Sequence, residues 1–123
     1  MTDVTPRVAA DALIIQSYTP EGFRIAGADY KGAVLLMSGM IHSVDLKSAS
    51  ELEYSHIDAL KGHAISYLIL GCGQRTVMLP LEILQELREM GIVAEAMSTG
   101  AACRTYNVLL AEGRPVAALL LPG

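Results

Sequence analysis

The fold is decided by the stretch ISYLILGCG, residues 65–73. An apolar run of strand length ends there in a glycine-rich turn, and the hydrophobic period then becomes helical between Pro80 and Gly91. A second strand begins at residues 92–94, a polar loop at 98–100 leads into a second helix, and an apolar run at 116–121 follows. Strands buried on both faces are typical of a sheet flanked by helices. Residues 65–123 are therefore predicted to form a β-α-β-α-β unit with right-handed crossovers.

The N-terminal half has a different pattern, made of short apolar runs separated by turn residues. Residues 13–18, 23–25, 33–37 and 40–44 are predicted strands, with turns at 19–22, 27–29 and 38–39. We therefore expect a meander of mostly antiparallel strands in this half. A short helix capped by Ser55 is predicted before Gly62. Together the two halves predict one α/β domain over residues 13–123, with residues 1–12 as a flexible lead-in.

Composition excludes several classes of protein. The hydrophobic fraction of 52% argues against disorder, and a net charge of −4 without any basic run argues against nucleic-acid binding. No apolar run is long enough to cross a membrane, and no targeting segment is recognisable near the N-terminus. The two cysteines form neither a metal-ligand pattern nor a disulfide framework. We expect a cytoplasmic protein with no metal and no cofactor.

Two polar turns mark the expected site. Ligands in open α/β sheets bind beyond the carboxyl ends of the strands, and those ends carry the turn from Gly71 to Arg75 and the turn from Ser98 to Gly100. The second turn opens a helix whose free N–H groups favour an anion. The candidate cleft includes Gly71, Cys72, Gly73, Arg75, Ser98, Thr99 and Arg104. The alternative is structural, in which Ser98 or Thr99 caps the helix and the glycines form turns.

Three further residues belong to the candidate site. Cys103 is expected in the first turn of the helix, where the dipole lowers a thiol pKa, so it could act as a nucleophile or as a redox partner of Cys72. The alternative is that Cys103 is a small core residue. Glu95 interrupts an apolar strand and is expected to form an ion pair with Arg104 or Arg114, or to contact a ligand. The amide of Asn107 is expected to satisfy loop backbone groups.

Neither a dinucleotide fingerprint nor a catalytic set is complete. The third glycine of a G-x-G-x-x-G pattern starting at Gly71 would fall at Thr76. The three histidines lie in the other half of the chain, with no spacing that relates them to Cys103. No catalytic residue is assigned.

A resemblance extends over most of the chain. Gly71-Cys72-Gly73, the helix that starts at Pro80, residues 91–99 and 101–109, and Glu112-Gly113-Arg114 resemble a family of domains of unknown function. Its eukaryotic members include a mitochondrial respiratory complex I (NADH dehydrogenase) assembly factor and an adipogenesis-associated protein. The resemblance implies a three-layer domain with a mixed central sheet and no established catalytic activity. The chain departs from the family by having no Trp near Ser43.

Two functional hypotheses follow. The first is a non-enzymatic protein-interaction module or assembly factor, whose protein partners would include respiratory-complex subunits. The second is a small anionic ligand-binding protein or enzyme that uses the cleft between residues 71–75 and 98–100. Oligomeric state cannot be read from the sequence.

Overall fold

The computed structural model describes residues 13–123, so the predicted flexible lead-in lies outside the described residues. Its strands are β1 (Ile15–Thr19), β2 (Gly22–Ile25), β3 (Ala28–Lys31), β4 (Ala33–Met37), β5 (Met40–Val44), β6 (Tyr67–Cys72), β7 (Val93–Met97) and β8 (Val116–Leu121). Its helices are α1 (Tyr54–Ile57), α2 (Leu81–Glu89) and α3 (Thr99–Ala111), with 3-10 turns at Ala49–Glu51 and Asp58–Leu60.

The strands of the N-terminal half divide between two sheets. A three-stranded antiparallel sheet has the order β1-β2-β3, while β4 and β5 join a five-stranded sheet of order β5-β4-β8-β6-β7. The expected antiparallel strands are all present, but they are divided between two sheets, because β4 pairs with β5 and with the distant strand β8 rather than with β3. The five-stranded sheet is mixed, since β6 is parallel to β7 and β8 while β4 is antiparallel to β8. The predicted α/β class with a mixed central sheet is confirmed.

Strand β3 was missed because its turn is shorter than expected. Ala26 and Gly27 have φ values of 50° and 87°, which are the left-handed values of a two-residue hairpin turn. The chain reverses within these two residues, so Ala28 and Asp29 already pair with β2. The predicted turn at 27–29 is therefore wrong in its extent.

The two crossover helices lie on opposite faces of the five-stranded sheet. The connection from β6 to β7 runs outward, and the connection from β7 returns past β6 to β8. Right-handed crossovers in opposite directions place α2 and α3 on opposite faces. Ile83 and Leu87 of α2 pack in one core, and Ala102 and Tyr106 of α3 pack in the other.

Each face of the sheet has its own core. The α2 core also receives Leu52, Ile57 and Leu60, as the sequence predicts for the segment around α1. The α3 core continues under the small sheet, where Phe23 and Ile25 are buried. These layers form the three-layer domain. The capping of α1 differs from the prediction, because Glu53 rather than Ser55 is the N-cap and forms a capping box with His56.

The helices of the described region are short. None of them is long and apolar enough to span a membrane.

Candidate functional site

The two turns expected to form the site do meet, at the carboxyl ends of β6 and β7. They are joined by two hydrogen bonds. The Thr99 N–H donates to the Gly73 carbonyl at 2.7 Å, and the Gly73 N–H donates to Thr99 Oγ1 at 2.8 Å. The polar groups that face each other across the predicted cleft therefore satisfy one another.

The end of β8 lies at the same edge of the sheet. We call this edge the rim; it consists of residues 71–75, 98–100 and 121–123. The Thr99 hydroxyl donates to the Leu121 carbonyl at 2.5 Å, and the Thr99 side chain is fully buried. A Cβ atom added to Gly123 would lie 2.6 Å from the Gly73 Cα, so these two backbones are in close contact. One hydroxyl thus connects the ends of three neighbouring strands. Its role is missed when Thr99 is treated only as a possible helix cap.

Gly71 allows α3 to approach the sheet. A Cβ atom at this position would lie 3.0 Å from Leu120 Cδ2 and 3.2 Å from both Ala102 Cβ and Thr99 Cα. All three contacts come from the α3 side of the sheet. The glycine therefore serves close helix–strand packing.

The N-terminus of α3 is capped by the chain itself. Ser98 is the N-cap residue, and its hydroxyl accepts from the Ala101 N–H at 3.4 Å. The Tyr18 hydroxyl lies so close to Gly100 that a side chain there would displace it, and a Cβ at Gly100 would lie 3.6 Å from an Arg104 guanidinium nitrogen. Tyr18 and Arg104 thus stand beside this helix end. Arg75 is exposed in the other turn.

Cys103 is a core residue rather than an activated thiol. It lies in the second turn of α3, and only 4% of its surface is exposed. Burial raises the pKa of the Cys103 thiol to about 11, and the nearby positive charge of Arg104 offsets only part of this. The expected lowering of its pKa is therefore wrong. Cys72 packs against the opposite core, so the sheet separates the two thiols and a redox pair is excluded.

Glu95 makes a different contact from the one expected. Strand β7 is an edge strand and Glu95 is exposed, so the carboxylate does not interrupt a buried strand. It accepts a hydrogen bond from the Tyr67 hydroxyl, while Arg114 pairs with Glu112 at 3.4 Å. The predicted ion pair with Arg104 or Arg114 is therefore wrong. The hydrogen bond to Glu95 raises the pKa of Tyr67 to about 12, with burial and the carboxylate charge acting in the same direction.

The Asn107 amide binds backbone groups as expected, but these groups belong to strand β1 rather than to a loop. Its Nδ2 donates to the Ile15 carbonyl at 2.8 Å, and its Oδ1 accepts from the Ile15 N–H at 3.0 Å. The amide thereby substitutes for a neighbouring strand at the edge of β1. Asn107 therefore ties the small sheet to α3.

The described residues contain no group of three His, Cys, Asp or Glu side chains placed to hold a metal ion. The polar residues that sequence reasoning missed are Tyr18 and Tyr67. Neither stands in a recognisable motif, so only their positions beside Gly100 and Glu95 identify them.

Residues 15–121 match a family described as protein of unknown function (DUF498/DUF598). The chain belongs to this family. An uncharacterized protein of Rhodobacter capsulatus is 40% identical over 113 residues, covering 92% of this chain and 87% of that protein. NADH dehydrogenase (ubiquinone) 1 alpha subcomplex assembly factor 3 of Danio rerio is 34% identical over 97% of this chain and 70% of its own length.

Solved structures agree with the fold. A protein of Bartonella henselae described as an outer membrane protein has a TM-score of 0.83 and 36% identity, covering 89% of this chain and 94% of that one. An Mth938-like domain of Bordetella pertussis has a TM-score of 0.81 and 26% identity, covering 99% of this chain and 92% of its own. A Francisella tularensis protein described as a 13 kDa major membrane protein is also similar, at 28% identity over 74% of this chain and 85% of its own length.

Proposed function

We propose that this protein is a non-enzymatic protein-interaction module with an assembly-factor-like role. The observation that carries the proposal is the similarity to the Danio rerio assembly factor, which extends over 97% of this chain. Because the alignment includes the whole α/β domain, the shared role would belong to this domain. Its partners would be protein subunits of a respiratory complex during assembly.

The geometry of the rim supports binding through an outer surface. Thr99 and Gly73 use their facing polar groups on each other, and Ser98 satisfies the Ala101 N–H. The buried Cys103 thiol, with its raised pKa, is a poor nucleophile at neutral pH. Apolar side chains are available on the surface for contact with a partner protein, since Met78 is 90% exposed and Leu81 is 65% exposed.

Affinity capture from the native organism tests this proposal. A tagged chain is expressed at its natural level, captured after mild crosslinking, and compared with an unrelated tagged protein of similar charge. We expect enrichment of subunits of a membrane-bound NADH dehydrogenase, and a loss of assembled complex on native gels when the gene is deleted. Normal complex assembly in the deletion strain would contradict the assembly role.

The proposed location is the cytoplasm, at the membrane surface where such a complex would be assembled. Fractionation of the same cells tests this location. We expect the chain in the cytosolic fraction and, in salt-sensitive form, on membranes. Recovery in the outer membrane would contradict it.

The second candidate function is binding of a small anion at the rim. It is favoured by one observation, which is that the Tyr18 hydroxyl and the Arg104 guanidinium both stand beside Gly100 at the N-terminus of α3. The candidate residues Gly71, Cys72 and Arg75 would line the neighbouring turn.

Phosphate titration followed by NMR tests this second candidate. Saturable shifts of the amides of residues 98–101 are expected in the wild type, and they should weaken in Arg104→Ala. Arg88→Ala, on the exposed side of α2, is the matched control. Equal responses in both variants would exclude a site at this rim.

A further inference from the structure

The outer edge of β7 carries unpaired backbone groups. In a parallel pair the residues of a strand bond alternately to the two sides, and the Val93 N–H donates to the Ser66 carbonyl next to β6. Ala94 and Ala96 therefore direct their N–H and C=O groups away from β6. Within residues 13–123, no strand pairs with this outer side. Such an edge is a template for one more strand.

The surface beside this edge is apolar where β7 begins. Val93 is 65% exposed, and it lines a groove of about 390 Å³ together with Ser66, Tyr67, Leu109, Arg114 and Pro115. Side chains of a strand added beside β7 would alternate between this groove and the α2 face. An apolar side chain opposite Val93 would cover it and the Tyr67 ring.

The charge of Glu95 determines which kind of strand can pair with the outer edge of β7. Glu95 is the central residue of β7 and lies on the same face as Val93, with its carboxylate held by Tyr67. A second copy pairing antiparallel about the strand centre would place the two Glu95 carboxylates directly opposite each other, which destabilises the pair. A Lys or Arg opposite Glu95 stabilises it instead. The net charge of −4 favours the same choice.

From these contacts we infer that β7 accepts an extended segment of another protein, with an apolar residue opposite Val93 and a Lys or Arg opposite Glu95. The segment would hydrogen-bond to Ala94 and Ala96 and extend the five-stranded sheet by one strand. This inference deepens the proposed interaction role and rests on it.

A designed peptide tests the edge independently of any natural partner. The probe is Ser-Val-Thr-Lys-Thr-Val-Ser, whose pattern is the same in both strand directions, and the control peptide has Glu in place of Lys. On titration followed by NMR, the Ala94 and Ala96 amides should shift and exchange more slowly with solvent. The Lys peptide should bind about fivefold more tightly than the Glu peptide, since cross-strand charge pairs differ by about 1 kcal/mol.

Variants of the chain make the test specific. Glu95→Lys should reverse the preference between the two peptides, whereas Glu21→Lys makes the same charge change at an exposed site in the turn between β1 and β2 and should leave the preference unchanged. Ala96→Pro removes an outward donor without altering the pairing with β6, and it should abolish binding of both peptides. Shifts located elsewhere, no binding at millimolar peptide, or an unchanged preference in Glu95→Lys would overturn the inference. Protection of these amides that grows with protein concentration alone would overturn it as well, by identifying a second copy as the occupant.

Affinity capture separates this inference from the proposed function. If the wild type and Ala96→Pro capture the same respiratory subunits equally, the interaction role stands and the edge is not its interface. If the peptide binds β7 but the deletion strain assembles its complex normally, the edge stands and the assembly role fails.

Discussion

A Thr99→Val substitution removes a single buried hydroxyl from the rim while keeping the side-chain shape. Two hydrogen bonds are lost, one from the Gly73 N–H and one to the Leu121 carbonyl. The bond from the Thr99 N–H to the Gly73 carbonyl is unaffected, because it belongs to the backbone. The substitution therefore isolates the contribution of the hydroxyl.

The expected loss follows from the burial of the two partners. Leu121 is 3% exposed, so water would not readily replace the hydroxyl at its carbonyl, whereas the Gly73 amide is half-buried and can be rehydrated in part. The loss of one buried hydrogen bond and the weakening of a second together cost about 2–3 kcal/mol. For a chain of 123 residues this lowers Tm by about 8–12 °C.

Urea and thermal unfolding followed by circular dichroism measure this effect. Thr105→Val is the matched control, since Thr105 lies half-buried on the same helix, and it should change the free energy of unfolding by less than about 0.5 kcal/mol. Thr99→Ser keeps the hydroxyl and should recover most of the loss. If Thr99→Val and Thr105→Val unfold alike, the hydroxyl does not join the three strands and the description of the rim is incorrect.

The other predictions concern close packing, the bridge to the small sheet and thiol access. Gly71→Ala should destabilise the fold by about 1–3 kcal/mol, because the new methyl group meets Leu120, Ala102 and Thr99. In Gly100→Ala the methyl group meets only the movable ends of Tyr18 and Arg104, so this variant should lose clearly less stability. If urea unfolding gives the reverse order of stabilities, the packing argument is contradicted. Asn107→Ala should cost about 1–3 kcal/mol and accelerate amide exchange at Ile15; unchanged exchange there would show that β1 does not need the amide. In the native chain at pH 8, iodoacetamide should modify Cys72 and spare Cys103 until urea unfolds the protein. The reason is that the Cys103 thiol is buried and has a pKa of about 11. Rapid modification of Cys103 in the native protein, located by peptide mapping, would refute its burial.

The α/β architecture was within reach of sequence reasoning because its signals are local. The apolar run that ends at Gly71, the helical period after Pro80 and the apolar run at 116–121 each depend on neighbouring residues. Strands joined by crossover helices are parallel, and the carboxyl ends of parallel strands, with the turns that follow them, lie at one edge of the sheet. Both turns lie there in the structure.

The errors have physical causes that a local pattern does not contain. β4 reads as one more strand of a meander, yet it pairs with β8, which lies more than 80 residues further along the chain. Glu95 sits in an apolar stretch that reads as buried, but β7 is the last strand of the sheet and leaves it exposed. The position of Cys103 near a helix start favours a lowered pKa, whereas packing against the sheet produces the opposite shift.

By itself, the sequence determined the order of most helices and strands and the edge of the sheet where the polar turns gather, because propensity, hydrophobic period and the parallel direction of strands joined by a helix can be read from short stretches. Only the tertiary structure decided what those turns do. The Thr99 hydroxyl, the Asn107 amide and the Glu95 carboxylate take partners 22, 92 and 28 residues away. Hydrogen bonding and burial depend on which distant residues the packed sheet brings together, so these partners and the open edge of β7 emerge only from the folded chain.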